Sequence, residues 1–242
     1  MPGIVGLTKV SLLDVSTVGE VGNSVWIPFT ELKDRLFELP APVEPLRIAD
    51  NCADAVRAVE FLSAGGRAAV LESRFGSSQS PERNRLWSPN PWVENATSHL
   101  SIGTVLDLGC GSGRDLVYLG DLGWTGLGVD HLPSAVRQGQ LLAQRYGVRT
   151  VQFASQVPEQ AFDLCLLMFV PVKDLLPTAL ARSRHHLVIE GFTPLNFQRH
   201  GKPASKFQVS KADLSGLELV EVDEAWRENG THTFRGVVKC SR

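Results

Sequence analysis

The sequence has little of what a membrane or nucleic-acid protein needs. Its formal net charge is −2, so there is no basic excess to contact a phosphate backbone or an anionic lipid surface. The longest apolar run, Leu164 to Val170, is too short to cross a bilayer. Residues 1–15 lack a basic stretch followed by a long apolar one, so we expect no secretory signal. Neither a nucleic acid nor a membrane is expected as a partner.

Cysteine is scarce, and its spacing forms no pattern. The four cysteines form no C-x-x-C pair and have no histidine at metal-ligand spacing, so we expect no bound metal. Lone thiols are typical of a reducing compartment, which predicts a cytoplasmic protein.

Hydrophobic residues make up 43% and charged residues 21% of the 242 residues, as in an ordinary globular protein of one or two domains.

A change in composition divides the chain. Residues 73–98 read SRFGSSQSPERNRLWSPNPWVENATS, which is rich in Ser, Pro, Asn and Arg and has no apolar periodicity. Such a segment predicts a linker and lead-in. We therefore expect a small domain over residues 1–72, a linker over 73–98 and a larger domain over 99–242.

In the larger domain, short apolar runs alternate with amphipathic segments, which predicts a doubly wound parallel α/β sheet. The predicted strands are Thr104–Leu108, Gly126–Val129, Thr150–Ala154, Phe162–Met168, His186–Phe192, Leu217–Trp226 and Thr231–Cys240. The predicted helices are Arg114–Leu122, Pro133–Tyr146 and Asp174–Ser183. The last two strands follow each other across a tight Glu-Asn-Gly turn, so they predict an antiparallel hairpin at the edge of the sheet.

A glycine motif carries the functional signal. In VLDLGCGSGRD (105–115), Gly109, Gly111 and Gly113 follow a strand and open a helix. Without Cβ atoms, they let the backbone turn sharply and let a ligand lie against it. Asp130 ends the next strand, where a carboxylate can accept hydrogen bonds from both hydroxyls of a ribose. The order of strand, glycine loop, helix, second strand and Asp130 predicts a site for a nucleoside cofactor. The alternative is a plain turn with a solvated Asp.

Asp107 favours one class of nucleoside. Dinucleotide sites usually read G-x-G-x-x-G, with the third glycine one position later than Gly113. The carboxylate of Asp107, two residues before the first glycine, would also repel a pyrophosphate but attract an ammonium group. The residues therefore favour S-adenosyl-L-methionine.

The segment 105–130 resembles the first motif and second strand of class I S-adenosylmethionine-dependent methyltransferases. The ending Gly-Arg-Asp and the pair Tyr118-Leu119 are similar to the tellurite-resistance branch, whose acceptors are thiols and chalcogens. Further matches to that branch are Glu190, Phe192-Thr193-Pro194, Gly201-Lys202-Pro203 and the lead-in LWSPNPW. The resemblance covers residues 85–242. It implies a Rossmann-like methyltransferase sheet with a C-terminal antiparallel hairpin.

The resemblance also implies a set of site residues. The candidate cofactor-binding residues are Trp87, Asp107, Gly109, Gly111, Gly113, Arg114, Asp130, His131, Ser155 and Met168. Ser155 stands where the branch often has an Asp that holds the adenine amino group. Trp87 could form an aromatic wall beside the sulfonium or anchor the linker by apolar packing.

The segment Thr193 to Lys206 supplies the candidate catalytic residues, Arg199 and His200. One interpretation of this segment is a basic lid that attracts an anionic or thiolate substrate. The alternative, which has equal weight, is a solvated basic loop. Methyl transfer from a sulfonium is an in-line displacement that requires positioning; a thiolate acceptor needs little further help, whereas an oxygen or nitrogen acceptor needs a base. We therefore expect a small-molecule acceptor, a thiol or another chalcogen nucleophile. A protein or other macromolecular acceptor, and a bifunctional or regulatory protein, are the alternatives.

The N-terminal segments 11–16, 22–40 and 46–72 resemble a rhodanese-type domain, which implies a small α/β fold before the methyltransferase domain. In the loop ADNCADA, Ala49 occupies the position of the nucleophile, and Cys52 is displaced by three residues. Two aspartates flank the cysteine, and the glycine and arginine that stabilise a persulfide anion are missing. We expect a degenerate domain that serves packing, dimerisation or sulfur delivery, with an active sulfurtransferase as the alternative. A homodimer is left open.

Overall fold

The computed structural model describes residues 7–19, 21–75 and 83–240. The chain divides into two compact units, residues 1–88 and 89–242. This division falls inside the linker predicted over 73–98. No helix of the described residues is long and apolar enough to cross a membrane.

The first unit contains a four-stranded parallel sheet. Its elements are β1 (Thr8–Lys9), β2 (Leu12–Asp14), β3 (Val25–Trp26), α1 (Phe29–Leu32), β4 (Leu46–Ala49), α2 (Asp54–Ala64), β5 (Ala69–Glu72) and β6 (Asn84–Arg85). The strand order is β3-β2-β4-β5, and β1 pairs separately with β6. Leu13, Ile27 and Ile48 are fully buried in its core. The predicted α/β class of this segment is thus observed, whereas its rhodanese-like identity stays a prediction.

A buried carboxylate ties two loops of this unit together. Asp14 ends β2 and accepts hydrogen bonds from the backbone N–H of Ser16 (2.9 Å), the N–H of Val21 (3.1 Å) and the side-chain amide of Asn51 (3.2 Å). Burial alone would raise the pKa of Asp14, but these hydrogen bonds outweigh it and hold the pKa below its usual value. The loop that carries Cys52 is therefore held next to the end of β2.

The second unit is a seven-stranded mixed sheet with helices. Its elements are α3 (Pro91–Thr97), β7 (Thr104–Leu108), α4 (Arg114–Asp121), β8 (Thr125–Val129), α5 (Pro133–Arg145), β9 (Val151–Ala154), β10 (Phe162–Met168), α6 (Val172–Arg182), β11 (Ser183–Phe192), α7 (Pro194–His200), β12 (Glu218–Trp226) and β13 (His232–Lys239). The strand order is β12-β13-β11-β10-β7-β8-β9. The pairs from β11 to β9 are parallel, and β13 pairs antiparallel with both β11 and β12. The predicted doubly wound sheet with a C-terminal hairpin is confirmed.

Two helices of this unit differ from the prediction. Helix α3 lies inside the predicted linker, and α7 lies in the predicted basic loop. Both begin with proline, which is tolerated in the first helical turn, and both are capped: Asn90 accepts from the N–H of Trp92, and Thr193 accepts from the N–H of Asn196. Proline-rich composition indicated loops here because the capping residues were not considered.

Three glycines surround one aromatic ring between the helices and the sheet. A Cβ atom on Gly113, Gly128 or Gly139 would lie 2.4, 2.7 or 2.4 Å from atoms of the Phe153 ring. These positions belong to the start of α4, to β8 and to α5. The absence of side chains at all three positions allows α5 and the start of α4 to approach β9 closely.

We predict that Gly139→Ala destabilises the protein by about 1–3 kcal/mol, because overpacking outweighs the gain in helix propensity. The measurement is denaturant-induced unfolding of four proteins: the parent, Gly139→Ala, Phe153→Leu and the double variant. With leucine at position 153, the added methyl group has room, and Gly139→Ala should cost less than in the parent. An equal cost in both backgrounds would contradict the close approach to the ring.

Candidate functional site

The glycine loop joins β7 to α4 and faces open space at its centre. Gly109, Gly111 and Gly113 all have positive φ, at 81°, 52° and 77°. A Cβ on Gly109 would lie 2.3 Å from Cγ1 of Val170, whereas a Cβ on Gly111 would meet nothing within 4 Å. Gly109 thus permits packing against the segment after β10. Gly111 presents bare backbone to a ligand.

Asp130 holds this loop in place. It follows β8, is 8% exposed, and its Oδ2 accepts a hydrogen bond from the N–H of Gly111 at 3.0 Å. Its Oδ1 accepts from the N–H of Leu132 at 2.9 Å. Each carboxylate oxygen has a further acceptor position, so the group can still receive two ribose hydroxyls. The neighbouring His131 side chain is 87% exposed, with Nδ1 3.4 Å from Oδ1 of Asp130.

Asp107 is a buried carboxylate near this loop. It is 2% exposed on β7, and among the described residues no side chain or N–H donates a hydrogen bond to it. Burial, together with the negative charges of Asp115 and Asp130, raises its pKa well above the usual value. A cationic group bound nearby would stabilise its ionised form, so the site fits the ammonium group of a ligand.

A second acidic pair lies beside α4. Burial raises the pKa of Asp115 to about 6, although the N–H of Asn90 and the charge of Arg114 oppose the shift. Glu190 on β11 is 2% exposed, and its Oε1 accepts from Nε of Arg235 at 2.7 Å. Glu190 is therefore paired with a guanidinium, whereas burial favours the protonated form of Asp115.

Asn90 connects these two acidic groups. Its backbone N–H donates to Oδ1 of Asp115 at 2.6 Å, and its side-chain amide donates to Oε2 of Glu190 at 2.7 Å. Its own side-chain oxygen caps α3. Glu190 was matched to a family motif from the sequence, but Asn90 and Arg235 were not identified. The Asn-Pro pair that starts α3 was the available signal.

Cys110, within the glycine loop, is not suited to nucleophilic work. Burial and then the charges of Asp107 and Asp130 raise the pKa of its thiol far above the ordinary range. The thiol therefore stays protonated at neutral pH.

The remaining cofactor candidates are dispersed. Ser155 is exposed directly after β9, and Met168 is the partly buried last residue of β10. Both strands end at the same edge as β7 and β8, where ligands of α/β sheets bind. Arg114 opens α4. Trp87 belongs to the first unit, where it is fully buried with the Arg85 guanidinium 5.0 Å from its ring centre, and its contact with a cofactor stays a prediction.

Phe169 continues the ligand-binding edge beyond β10. It is a non-glycine residue with φ of 57°, and its N–H donates to the carbonyl oxygen of Glu190 at 2.7 Å. Its ring centre lies 4.9 Å from that of Phe192. A left-handed conformation in a bulky residue is unusual and often occurs in functional sites.

The two catalytic candidates lie at the end of α7 with different surroundings. The guanidinium of Arg199 lies 4.7 Å from the centre of the Trp226 ring. His200 Nε2 lies 2.9 Å from the carbonyl oxygen of Gly230, so this nitrogen carries a proton and donates it. His200 also lines a cavity of about 350 Å³ whose wall includes Phe192, Asn196 and Lys202, and Arg199 does not line it.

Part of the larger unit matches a known protein family. Residues 106–191 match the family model of a methyltransferase domain. No curated protein matches the sequence.

Several solved structures share the fold. One comes from work on the conversion of a disulfide bond into a thioacetal group during echinomycin biosynthesis (18% identity, TM-score 0.52, covering 64% of this chain and 82% of that one). Another is magnesium protoporphyrin IX methyltransferase from Synechocystis PCC 6803 with bound SAH, at 16% identity and a TM-score of 0.51, covering 61% of this chain and 78% of that one. A third is the N-methyltransferase NodS from Bradyrhizobium japonicum WM9 with bound S-adenosyl-L-homocysteine, at 13% identity and a TM-score of 0.52, covering 62% of this chain and 84% of that one.

The match over residues 106–191 identifies a methyltransferase domain in the larger unit, and the cofactor of this enzyme is S-adenosyl-L-methionine. The fold alone is shared with these three structures, because the identities are low.

We predict that Asp130→Ala weakens the binding of S-adenosyl-L-methionine by on the order of 100-fold. The variant loses an ionised hydrogen-bond acceptor for the ligand and for Gly111 at once. Calorimetric titration measures the change. Asp174→Ala, which removes an exposed carboxylate on α6, is the control and should bind within about twofold of the parent. Equal affinity in Asp130→Ala and the parent would refute the assignment.

We predict that binding of the cofactor strengthens as pH rises through the elevated pKa of Asp107, because ionised Asp107 attracts an ammonium group and protonated Asp107 does not. Titration across pH, in buffers of different ionisation enthalpy, should show protons released on binding. Asp107→Asn should bind more weakly with a flattened pH dependence. The stability of the ligand-free protein should depend on pH in the opposite direction. Because the pKa of Asp107 is raised in the folded state, the free energy of unfolding should fall as pH rises, and Asp107→Asn should reduce that fall. A pH dependence identical in both proteins would contradict this.

Proposed function

We propose that this S-adenosylmethionine-dependent methyltransferase transfers its methyl group to a small-molecule acceptor, specifically a thiol or another chalcogen nucleophile. The observation that carries the proposal is the cavity of about 350 Å³ beside the end of β11. Its volume lies in the range of pockets for small ligands. It lies at the edge of the sheet at which the glycine loop also ends.

The cofactor would be held by the residues that the sequence singled out. Asp130 would bind the ribose, the backbone at Gly111 would lie against the ligand, and Asp107 would face the ammonium group. Ser155 and Met168 would contact the adenine from the ends of their strands. Arg114, His131 and Trp87 remain proposed contacts. When bound, S-adenosyl-L-methionine supplies an electrophilic methyl group on a sulfonium.

The surroundings of α7 favour an acceptor that ionises without strong help. Nε2 of His200 is committed to the carbonyl of Gly230, so only Nδ1 could accept a proton. Arg199 is stacked on Trp226; with its guanidinium always protonated, it can supply positive charge but no base. A thiol or a heavier chalcogen loses its proton near neutral pH more readily than an alcohol. In this proposal, Arg199 and His200 position α7 and favour an anionic acceptor.

The first unit is proposed to be a non-catalytic rhodanese-like module. Its parallel four-stranded sheet supports the likeness. The loop around Cys52 is fastened by the Asn51 amide on a carboxylate, Asp14, and a negative charge is unfavourable for a persulfide anion. Its proposed role is packing, dimerisation or sulfur delivery.

The proposed function is tested by incubation with methyl-labelled cofactor and matched acceptors. The panel contains thiols, the alcohols and amines of the same skeletons, selenite, tellurite and cell extract. We expect label on sulfur or a heavier chalcogen and at least tenfold less on the oxygen and nitrogen analogues. At a cofactor concentration near the Kd of the parent, Asp130→Ala should strongly reduce the product with every acceptor, because its cofactor site is mostly empty. Label on an oxygen, a nitrogen or a macromolecule of the extract, with none on the thiols, would exclude the proposed acceptor.

A further inference from the structure

The cavity at α7 has an apolar floor that connects it to the cofactor side of the sheet edge. Phe192, the last residue of β11, lines the cavity. Its ring packs on Phe169, and the next residue, Val170, lies against Gly109 of the glycine loop. A ligand on this floor would therefore extend from the cavity towards the cofactor loop.

The charged rim of the cavity has one sign. Lys202 and His200 line it, together with the amides of Asn196 and Asn229, and no acidic residue of the described chain does so. Lys202 is exposed and forms no ion pair with another described residue. Its backbone carbonyl accepts the Asn196 amide at 2.9 Å, which holds the lysine at the rim. The glycine-loop side of the edge, by contrast, carries the buried carboxyl groups of Asp107 and Asp130.

From these features we propose that the cavity binds the anionic group of the methyl acceptor, with Lys202 as the specificity-determining residue. The acceptor class is a small molecule with a flat apolar body and a carboxylate. The body lies on Phe192 and Phe169, and the carboxylate lies at Lys202. The reacting atom is at the other end of the body, towards the glycine loop. This inference rests on the proposed function for the position of the acceptor.

The test uses a pair of probes that differ only in charge, 4-(methylthio)benzoate and 4-(methylthio)benzamide. Each is titrated by calorimetry into the full chain saturated with S-adenosyl-L-homocysteine. We expect the benzoate to bind about tenfold more tightly than the amide, a typical effect of one charge-assisted contact. Higher salt should reduce the preference, since the rim is exposed to solvent.

The matched variants are Lys202→Gln and Lys206→Gln. Both remove one positive charge from the segment after α7, but Lys206 lies 5.1 Å from the Phe207 ring and does not line the cavity. Lys202→Gln should abolish the preference for the benzoate and leave the affinity for the amide unchanged. Lys206→Gln should retain the preference.

Equal binding of the two probes to the parent, binding of neither, or equal effects of the two variants would overturn the proposal. A parallel assay offers 4-mercaptobenzoate and its amide as methyl acceptors. Selective binding of the benzoate without methylation of either thiol would support the cavity's ligand class and count against the thiol acceptor. Methylation of both thiols at equal kcat/KM, together with equal probe binding, would leave the proposed function standing and reject the role of Lys202.

Discussion

The carboxylate of Asp130 is the contact on which the cofactor half of the molecule depends. One group binds the backbone of two loops, at Gly111 and at Leu132, and so ties the glycine loop to the turn after β8. The N–H groups of Gly109 and Cys110 also donate to the carbonyl oxygen of Val129, at 2.7 and 3.1 Å, so backbone hydrogen bonds add to this connection. The carboxylate proposed to bind the ribose therefore also helps to set the shape of the glycine loop.

Two groups of charged side chains lie along the edge of the sheet in the second unit. The carboxylates Asp107, Asp115 and Asp130 lie on β7, on α4 and just after β8, and the cations Arg199 and Lys202 lie at the end of α7 and just beyond it. Asn90 connects the acidic region to β11 through its amide and its backbone N–H. This arrangement suits a reaction in which a cationic donor meets an electron-rich acceptor. In the proposed reaction, opposite electrostatic fields would attract the two reactants to adjacent places.

Local sequence patterns predicted much of the fold. The alternating apolar runs predicted every strand of the large sheet to within a few residues, because most of these strands are buried and bounded by glycine or a turn. The mostly exposed edge strand β12 was predicted from the tight turn that joins it to β13. Helices α3 and α7 were missed, since their proline-rich starts resemble loops unless the cap is considered. The contacts of Asn90 with Glu190 could not be predicted, because the two residues are 100 positions apart and only the folded sheet brings them together. The roles of Trp87 and Arg199 depend on distant packing in the same way, and motif matching could not supply it.

The buried carboxyl of Asp107 connects the methyl donor, through the proposed ammonium contact, to the lifetime of the protein. Without a cation beside it, burial and the neighbouring charges of Asp115 and Asp130 disfavour its ionised form, and in the proposed arrangement cofactor binding stabilises that form. Ligands that bind only the native state reduce the unfolded fraction by mass action. That fraction is the substrate of cellular proteases. A cell depleted of the methyl donor would therefore degrade this enzyme faster, and the abundance of the catalyst would follow the supply of its own reagent.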